Sequence, residues 1–437
     1  MPIKLQVVDW VRTRGLGLPL IREAWLRYDR HRLHREYEKR REHYSDQARR
    51  GGLTYHEPTE INRVRARLAD RGYSAKKRKP GEIHTFACVP IGGGGAESYR
   101  MAWQRDLLAD LRELGPVSHF NYGAEGYRWQ EFRYDGAGGL RRRDEMNASF
   151  IDSLRRAHRE RPVDWLFAYA SGIELTPATL RKITEEIGIP SVCMCLDDKQ
   201  MFDGGLLGGY RSGMADIGRE FDIAWTSARV ACEWYLVEGG RPLYIPGGGD
   251  VTHYHPIPVE QDIPVSFIGA GYGFRKSVVR FLRAHDVPIE TYGASWGTRF
   301  LSAEEQIQVI NRSIINLGMG GIRASEELTN VKGRDFEIPL VGGGVYLTTF
   351  NPDLAQHFRI GEEILCYRNR DEMLELIRYY MAHPDEAREI ARRGRQRCLA
   401  EHRWLHRYQK LCRIFGILPE QEEDKPADPA PRTSLSG

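Results

Sequence analysis

From residue 82 onward, short apolar segments alternate with longer segments whose apolar residues recur at helical spacing. Leu107, Leu111 and Leu114 recur at intervals of four and three residues, as on the buried face of a helix. The short segments are almost continuously apolar, which is typical of strands buried on both faces of a parallel sheet. The alternation predicts an α/β fold in which helices cover mainly parallel sheets. We predict strands at residues 83–90, 165–170, 190–196, 223–226, 243–245, 265–268, 289–292, 314–317, 345–347 and 364–367.

The predicted strands fall into two consecutive sets that join near residues 246–262. A chain of 437 residues is too long for one simple core, so two α/β domains are expected. The remaining segments differ in composition, because one is basic and the last is acidic and then rich in Pro and Ser. We predict a mainly helical extension at 1–81, α/β domains at 82–255 and 256–418, and a disordered tail at 419–437.

One helix start is marked by local chemistry. Thr176 is a favourable cap residue and Pro177 fits the first turn of a helix, where its missing N–H is not needed. Leu180 and Ile183 then lie on one face, and Gly188 supplies a stop signal. The sequence therefore predicts a helix from Pro177 to just before Gly188.

The N-terminal segment differs in charge from the rest of the chain. The whole chain is 41% hydrophobic and carries a net charge of +4, which is ordinary for a globular protein. Residues 1–80 hold 21 Lys/Arg and 10 Asp/Glu, leaving 43 and 50 for the rest of the chain. The basic character therefore belongs to the extension. Residues 20–50 predict a surface helix, and its simplest interpretation is a helix that is solvated or packed on a partner.

An alternative interpretation of residues 20–50 is attachment to an anionic membrane surface or an acidic protein partner. No apolar run is long enough to span a bilayer, so we expect a cytoplasmic protein or one bound at the inner face of the membrane. The seven cysteines are an odd number without a Cys-x-x-Cys pair, which predicts free thiols in a reducing compartment. No stacked aromatic pattern predicts specific nucleic-acid binding.

Residues 332–347 carry the strongest functional pattern. Lys332 and Arg334 precede Glu337, and three glycines, Gly342–Gly344, then lead into an apolar strand. Cations suit a diphosphate, a lone carboxylate suits ribose hydroxyls, and glycines allow the backbone to approach a ligand. The sequence predicts a nucleotide site here, with Gly342 and Gly343 among the residues that contact the ligand.

A second glycine-rich turn, Gly269-Ala-Gly271-Tyr-Gly273, follows a predicted strand and precedes a helix. This position suits a phosphate, and Arg275 and Lys276 at the helix start add positive charge. The same turn keeps a dinucleotide-binding oxidoreductase open as an alternative, although Phe274 occupies the place of its third glycine. Gly92–Gly95, with Gly93 and Gly94 at its centre, is a further candidate phosphate loop after the first strand.

Asp197-Asp198-Lys199 follows a predicted buried strand, where the functional groups of parallel sheets usually lie. Three interpretations stay open: a helix cap or solvated loop, a polar contact to an acceptor substrate, and a carboxylate pair for a metal ion. The histidines are scattered and none forms a metal-spaced pair on a helix. The histidines therefore predict no metal site.

Several segments together resemble one family, the CgeB-type glycosyltransferases, a bacterial branch of the two-domain GT-B enzymes. The resemblance extends from about residue 82 to residue 412 and is most specific in the second half. The segments that carry it are Lys332-Gly-Arg-Asp-Phe-Glu-Ile-Pro339, Gly342–Gly344, Asn351-Pro-Asp-Leu354, Phe358-Arg-Ile-Gly-Glu-Glu-Ile364, Arg378-Tyr-Tyr-Met-Ala-His-Pro384, Ile390-Ala-Arg-Arg-Gly394, Phe221-Asp-Ile-Ala-Trp-Thr-Ser227 and Tyr244-Ile-Pro-Gly-Gly248.

The resemblance implies two Rossmann-like domains that face each other across a cleft, the GT-B fold. The second domain would hold a nucleotide-diphosphate sugar, with a UDP- or GDP-sugar expected, and the first would present a protein, lipid-linked or polysaccharide acceptor. It further implies a hexosyl transfer that needs no metal and retains the anomeric configuration. A non-catalytic protein that binds nucleotide sugars is the third open interpretation.

The resemblance also assigns roles to individual residues. Glu337 is similar to the second glutamate of the family's paired-glutamate motif, which binds ribose, whereas Thr329 occupies the position of the first glutamate. Arg275 or Lys276, together with Lys332 or Arg334, would bind the diphosphate. Asp197 is the residue to act as base if the reaction inverts the anomeric configuration.

Overall fold

Two parallel β-sheets organise the chain, one in each half. The computed structural model describes residues 19–90, 102–298 and 300–420. Its strands are β1 Thr85–Cys88, β2 Val117–Phe120, β3 Trp165–Ala168, β4 Ser191–Cys195, β5 Leu206–Leu207, β6 Tyr210–Arg211, β7 Ile223–Thr226, β8 Pro242–Tyr244, β9 Ile263–Ile268, β10 Ile289–Tyr292, β11 Ser313–Leu317, β12 Val345–Thr349 and β13 Leu365–Tyr367. The first sheet has the order β2-β1-β3-β4-β7-β8 and the second β10-β9-β11-β12-β13. We call the two halves the first lobe and the second lobe.

Helices connect the strands and cover the sheets. They are α1 Pro19–Arg50, α2 Glu57–Asp70, α3 Ala102–Leu114, α4 Trp129–Tyr134, α5 Gly136–Glu160, α6 Pro177–Glu186, α7 Asp198–Met201, α8 Arg229–Val237, α9 Arg275–Ala284, α10 Ala303–Arg312, α11 Arg334–Val341, α12 Arg370–Ala382, α13 Pro384–Glu401 and α14 Trp404–Ile414. All residues of β1, β3, β4 and β7 are buried, as their continuous apolar runs predict. The alternation of strands and helices confirms the predicted α/β class.

Every pairing within the two large sheets is parallel. The carboxyl ends of the strands in each sheet therefore lie on one edge, where loops of varied sequence gather. In the second lobe this edge carries the turn after β9 and the segment 318–333 after β11. In the first lobe it carries Asp197–Lys199, directly after β4. These loops supply the candidate site.

The helix predicted to start at Thr176 is present. The Thr176 side chain accepts a hydrogen bond of 3.2 Å from the Thr179 amide, and the helix runs from Pro177 to Glu186. Gly188 has a φ of 71°, a conformation that favours glycine after a helix end. The local start and stop signals are therefore confirmed.

Helix α14 crosses back from the second lobe to the first. Tyr408, Leu411 and Cys412 are buried in one cluster with Leu107 and Trp165 of the first lobe. The Tyr408 hydroxyl also donates a 3.0 Å hydrogen bond to the Leu107 carbonyl. The predicted boundary at residue 418 assigned this helix to the second domain, whereas its side chains complete the core of the first.

Helix α1 confirms the predicted N-terminal helix, and it contacts both lobes. Arg40 donates a 2.5 Å hydrogen bond to Asp203 of the first lobe. Toward the N-terminal end of α1, His34 lies 2.7 Å from the Ser325 hydroxyl of the second lobe. Arg30 forms an ion pair with Glu327, and Asp29 pairs with Arg323. This helix therefore packs along both lobes over much of its length.

Two bulk predictions concern chemistry rather than topology. All seven cysteines are free thiols, as predicted from their number and spacing. Within residues 19–90, 102–298 and 300–420, no helix combines the length and the apolar character needed to cross a membrane.

Candidate active site

Two arginines from different helices meet beside one aromatic ring. Arg275 opens α9 and Arg334 opens α11, and their guanidinium carbons lie 5.5 and 5.3 Å from the centre of the Phe267 ring. Arg275 also lies 4.3 Å from the Tyr272 ring and donates a 3.0 Å hydrogen bond to the Ala270 carbonyl. Each cation sits at the first turn of a helix, where the helix dipole also favours an anion. The pair is suited to a diphosphate.

The turn between β9 and α9 brings Arg275 to this position. Gly273 has a φ of 59°, and a Cβ there would lie 1.7 Å from the Arg323 carbonyl oxygen. Only glycine fits both the backbone conformation and this close approach. Lys276 is the next residue of α9 and is half-buried. The two cations predicted at this helix start therefore follow a turn that closes tightly on the loop after β11.

Gly271 has a different role from the predicted ligand contact. Its amide donates a 2.7 Å hydrogen bond to the Ala294 carbonyl, and a Cβ on it would lie 2.7 Å from the Trp296 ring. The amide is therefore engaged within the protein, and the indole covers the glycine. The predicted contact between Gly271 and the nucleotide would therefore not use this amide. This packing also removes the open glycine that a dinucleotide-binding turn requires.

Glu337 lies one turn beyond Arg334 on α11. The Tyr254 hydroxyl hydrogen-bonds the Glu337 carboxylate. Burial raises the pKa of Glu337 to about 7, although the positive charge of Arg334 and the Tyr254 hydrogen bond oppose the shift. A Cβ on Gly333 would lie 2.8 Å from the Glu337 Oε1 atom, so a larger residue there would displace this carboxylate. Residues three apart on a helix share one face, so Arg334 and Glu337 present their groups together.

Lys332 and Asp197 meet across the cleft between the lobes. The Lys332 Nζ atom lies 3.7 Å from the Asp197 Oδ1 atom. Close by, the Lys199 ammonium donates a 2.7 Å hydrogen bond to the Thr329 carbonyl. Both contacts join the loop after β4 to the segment that precedes α11. The structure thus brings together two predicted site residues that are 135 positions apart in the sequence.

Asp335 holds this segment in place, a role that the sequence analysis missed. Its carboxylate accepts hydrogen bonds of 2.6 Å from the Lys332 amide and 2.6 Å from the Tyr346 hydroxyl. Burial raises the pKa of Asp335, and the hydrogen bond from the Lys332 amide and the Tyr346 hydroxyl oppose the shift. The sequence signal that could have indicated Asp335 is its position as a carboxylate within a cation-rich run. Tyr254, the partner of Glu337, had no comparable signal.

Gly342 and Gly343, which the sequence predicts to contact the ligand, follow the end of α11 opposite to Arg334. Gly342 ends α11 with a φ of 70°, and a Cβ there would lie 2.9 Å from the Arg395 side chain. A Cβ on Gly343 would lie 2.7 Å from the Asn311 backbone. Both glycines precede β12 and therefore lie at the amino edge of the parallel sheet. They allow close packing there. Gly93 and Gly94 lie outside the described residues.

The two aspartates after β4 separate into different roles. Asp198 is fully buried, and it accepts hydrogen bonds of 2.5 Å from Thr226 and 2.8 Å from Tyr235. Burial raises the pKa of Asp198 to about 6. Only Asp197 of this pair faces the cleft. In the described part of the chain, no three or more His, Cys, Asp or Glu side chains gather as a metal site would require.

Comparisons with known proteins agree with this geometry. Residues 275–413 match the model of a family described as "Glycosyl transferase-like". The structure is similar to sucrose-phosphate synthase from Thermosynechococcus elongatus, at 12% identity and a TM-score of 0.50, covering 77% of this chain and 100% of that one. It is also similar to Anabaena HepE in complex with UDP and glucose, at 12% identity and a TM-score of 0.51, again covering 77% and 100%. No curated protein matches the chain.

The matched segment contains Arg275, Lys332, Arg334 and Glu337, and the similar structures share the arrangement of two lobes. The fold is therefore GT-B, as predicted. Together with the family match, it defines the chain as a glycosyltransferase.

Proposed function

We propose that this glycosyltransferase moves a sugar from a nucleotide-diphosphate sugar to a hydroxyl group of an acceptor. The observation that carries the proposal is the placement of Arg275 and Arg334 within 5.5 Å of one ring, with Glu337 one helical turn further on. The two cations fit a diphosphate and the carboxylate fits ribose hydroxyls. Lys332 and Lys276 add charge at the same edge of the sheet.

The chemistry follows from charge development. Breaking the bond between the sugar and the diphosphate leaves negative charge on the departing phosphate oxygens. Fixed cations that stabilise this charge more than the ground state lower the barrier. Asp335 fixes the segment that carries Lys332 and Arg334, so these cations are oriented before the reaction starts. The first lobe closes the other side of the cleft and excludes water, which directs the sugar to the acceptor.

A uridine or guanosine diphosphate sugar is the proposed donor. The similar Anabaena protein, crystallised with UDP and glucose and with UDP-glucose, supports the uridine nucleotide. The matched family region and the motif Lys332-Gly-Arg-Asp-Phe-Glu337 support the finer assignment to the CgeB-type branch.

We also propose a retaining reaction that needs no metal ion. An inverting reaction requires a protein base beside the acceptor, and Asp197 is the carboxylate of its loop that faces the cleft. Asp197 forms an ion pair with Lys332, so this carboxylate is already engaged by a cation. The anomeric configuration of the product, measured by proton NMR directly after transfer, tests this point. An inverted product would contradict retention and return Asp197 to the role of base.

Calorimetric titration with UDP, and with GDP in parallel, tests the donor site. Replacing Arg334 or Glu337 by alanine should weaken the binding of the nucleotide that the wild type binds by about tenfold or more, because a charge-assisted hydrogen bond contributes roughly 1.5–3 kcal/mol. Arg392→Ala and Glu375→Ala on exposed helix faces are matched controls and should stay within about twofold of the wild type. Unchanged affinity in both site variants would contradict the assignment.

A further inference from the structure

A buried amide in the cleft lacks the partners that buried amides normally have. The Asn330 side chain is 3% exposed, and neither its Oδ1 nor its Nδ2 atom has a hydrogen-bond partner among the described residues. Burial of an amide without partners is unfavourable, so such groups are rare in folded proteins and call for a ligand, a water or an ion as partner.

The backbone of Asn330 is fixed. Its amide donates a 3.1 Å hydrogen bond to the Gly320 carbonyl, and the neighbouring Thr329 pairs with Gly321 in an antiparallel bridge. The Gly320 amide in turn donates a 3.2 Å hydrogen bond to the Thr349 hydroxyl at the carboxyl end of β12. Asn330 therefore lies at the carboxyl edge of the second sheet, where ligands of parallel sheets bind.

Contacts to the first lobe flank Asn330 on both sides. Thr329 precedes it and accepts the hydrogen bond from Lys199. Lys332 follows two positions later and contacts Asp197. The transferred sugar has to lie between the diphosphate cations of the second lobe and the acceptor on the first. Asn330 lies in the chain segment that spans this gap.

The chemistry of the side chain fits a sugar. A carboxamide both donates and accepts hydrogen bonds, as does each sugar hydroxyl. Because the amide is neutral, it adds no repulsion next to a diphosphate. The adjacent position 329, where the resemblance implies a glutamate, is threonine.

We propose that Asn330 binds hydroxyl groups of the donor's sugar ring and selects which sugar is accepted. This inference rests on the proposed function and adds the residue that recognises the sugar rather than the nucleotide. It predicts that the loss of Asn330 affects nucleotide sugars and leaves nucleoside diphosphates unaffected.

Asn311 is a matched control in the same lobe. It is also 3% exposed, but its Nδ2 donates to the His255 and Ile307 carbonyls at 3.2 and 2.9 Å. Its Oδ1 accepts a 3.1 Å hydrogen bond from the Ile257 amide. Asn311 is thus a buried amide whose role is structural.

The test compares Asn330→Leu and Asn330→Ser with Asn311→Leu. Calorimetry measures the affinity of each variant for UDP-glucose and UDP and for GDP-mannose and GDP, and thermal unfolding gives Tm without ligand. For the nucleotide pair that the wild type binds, both Asn330 variants should lose at least about tenfold in nucleotide-sugar affinity and stay within about twofold for the diphosphate. Asn330→Leu should keep or raise Tm, because it removes an unsatisfied amide, whereas Asn311→Leu should lower Tm.

Equal effects on nucleotide sugar and diphosphate would overturn the proposal, as would unchanged affinity for both. A fall in Tm for both Asn330 variants as large as for Asn311→Leu would also overturn it, because Asn330 would then be structural. If the wild type binds none of the four probes, the proposed function itself fails, and this inference fails with it.

Discussion

At the residue scale, Glu337 combines two requirements that oppose each other. Its carboxylate is proposed to accept hydrogen bonds from ribose hydroxyls, yet burial raises its pKa to about 7. The Arg334 charge and the Tyr254 hydroxyl stabilise the ionised form without fully offsetting burial. In the unliganded protein, the buried charge of Glu337 therefore lowers the stability of the fold. Residues that serve binding often have this effect.

This strain predicts a pH-dependent stability. The pKa of Glu337 is higher in the folded state than its ordinary value of 4.5, so the folded state binds the proton more tightly. The free energy of unfolding should therefore fall as the pH rises from about 4.5 through about 7. Glu337→Gln removes the charge, and we expect it to be more stable than the wild type at pH 8 by roughly 1–3 kcal/mol, with little difference at pH 5.

Thermal unfolding of the unliganded protein at both pH values measures this difference. Glu375→Gln, on an exposed helix face, is the control and should follow the wild type at each pH. A Glu337→Gln variant with the same Tm difference from the wild type at pH 5 and pH 8 would show that Glu337 is not strained.

At the element scale, the turn between β9 and α9 positions Arg275 through glycine geometry. Gly273 requires a positive φ and also allows the backbone at Arg323 to approach. Gly297 has a φ of 83°, but a Cβ there would meet no atom of the described residues within 4 Å. A comparison of the two glycines therefore distinguishes the cost of a positive φ alone from the added cost of a steric clash.

Alanine substitution at each glycine tests this separation. Gly297→Ala should cost about 1 kcal/mol, the strain of a positive φ for alanine. Gly273→Ala adds a clash with the Arg323 carbonyl, so we expect a clearly larger loss of Tm and weaker UDP binding, because the turn that carries Arg275 must shift. Thermal unfolding and calorimetry measure both effects. Equal Tm losses in the two variants would contradict the role of the Gly273 contact.

Element prediction succeeded where local chemistry decides the structure. Continuous apolar runs gave the buried strands, and the Thr176 cap gave the start of its helix. The roles of glycines were harder to predict, because Gly342 and Gly343 resemble a ligand loop in sequence. These glycines lie at the amino edge of the sheet because β12, which follows them, pairs in parallel with its neighbours.

The candidate site shows the same limit. Arg334 and Glu337 are close in the sequence, so they were assigned to one site, but the helix that carries both was not predicted. The approach of Asp197 to Lys332 depends on how the lobes pack together. The Asn330 side chain, which has no hydrogen-bond partner among the described residues, depends likewise on the tertiary structure. Sequence pattern carries no signal for such contacts.

At the scale of the whole molecule, three connections join the lobes around the cleft. The linker after β8 leads from the first lobe to the second, α14 returns to the first, and α1 contacts both. Contacts of α1 with the second lobe fall on residues 322–328, directly before the segment that carries Asn330, Lys332 and Arg334. The N-terminal extension is therefore part of the framework that positions the site, and this contact argues for a structural role of its basic residues.

The release of nucleoside diphosphate from a panel of UDP-, GDP- and dTDP-sugars, without acceptor, tests the central claim most directly. The account predicts that the wild type slowly hydrolyses at least one of these donors, that Arg334→Ala lowers the rate by roughly a hundredfold, and that Arg392→Ala leaves it unchanged. CMP-sugars, which carry a single phosphate, should not be cleaved. A wild type that releases no diphosphate from any donor, or an Arg334→Ala variant that releases it at the wild-type rate, would contradict the account.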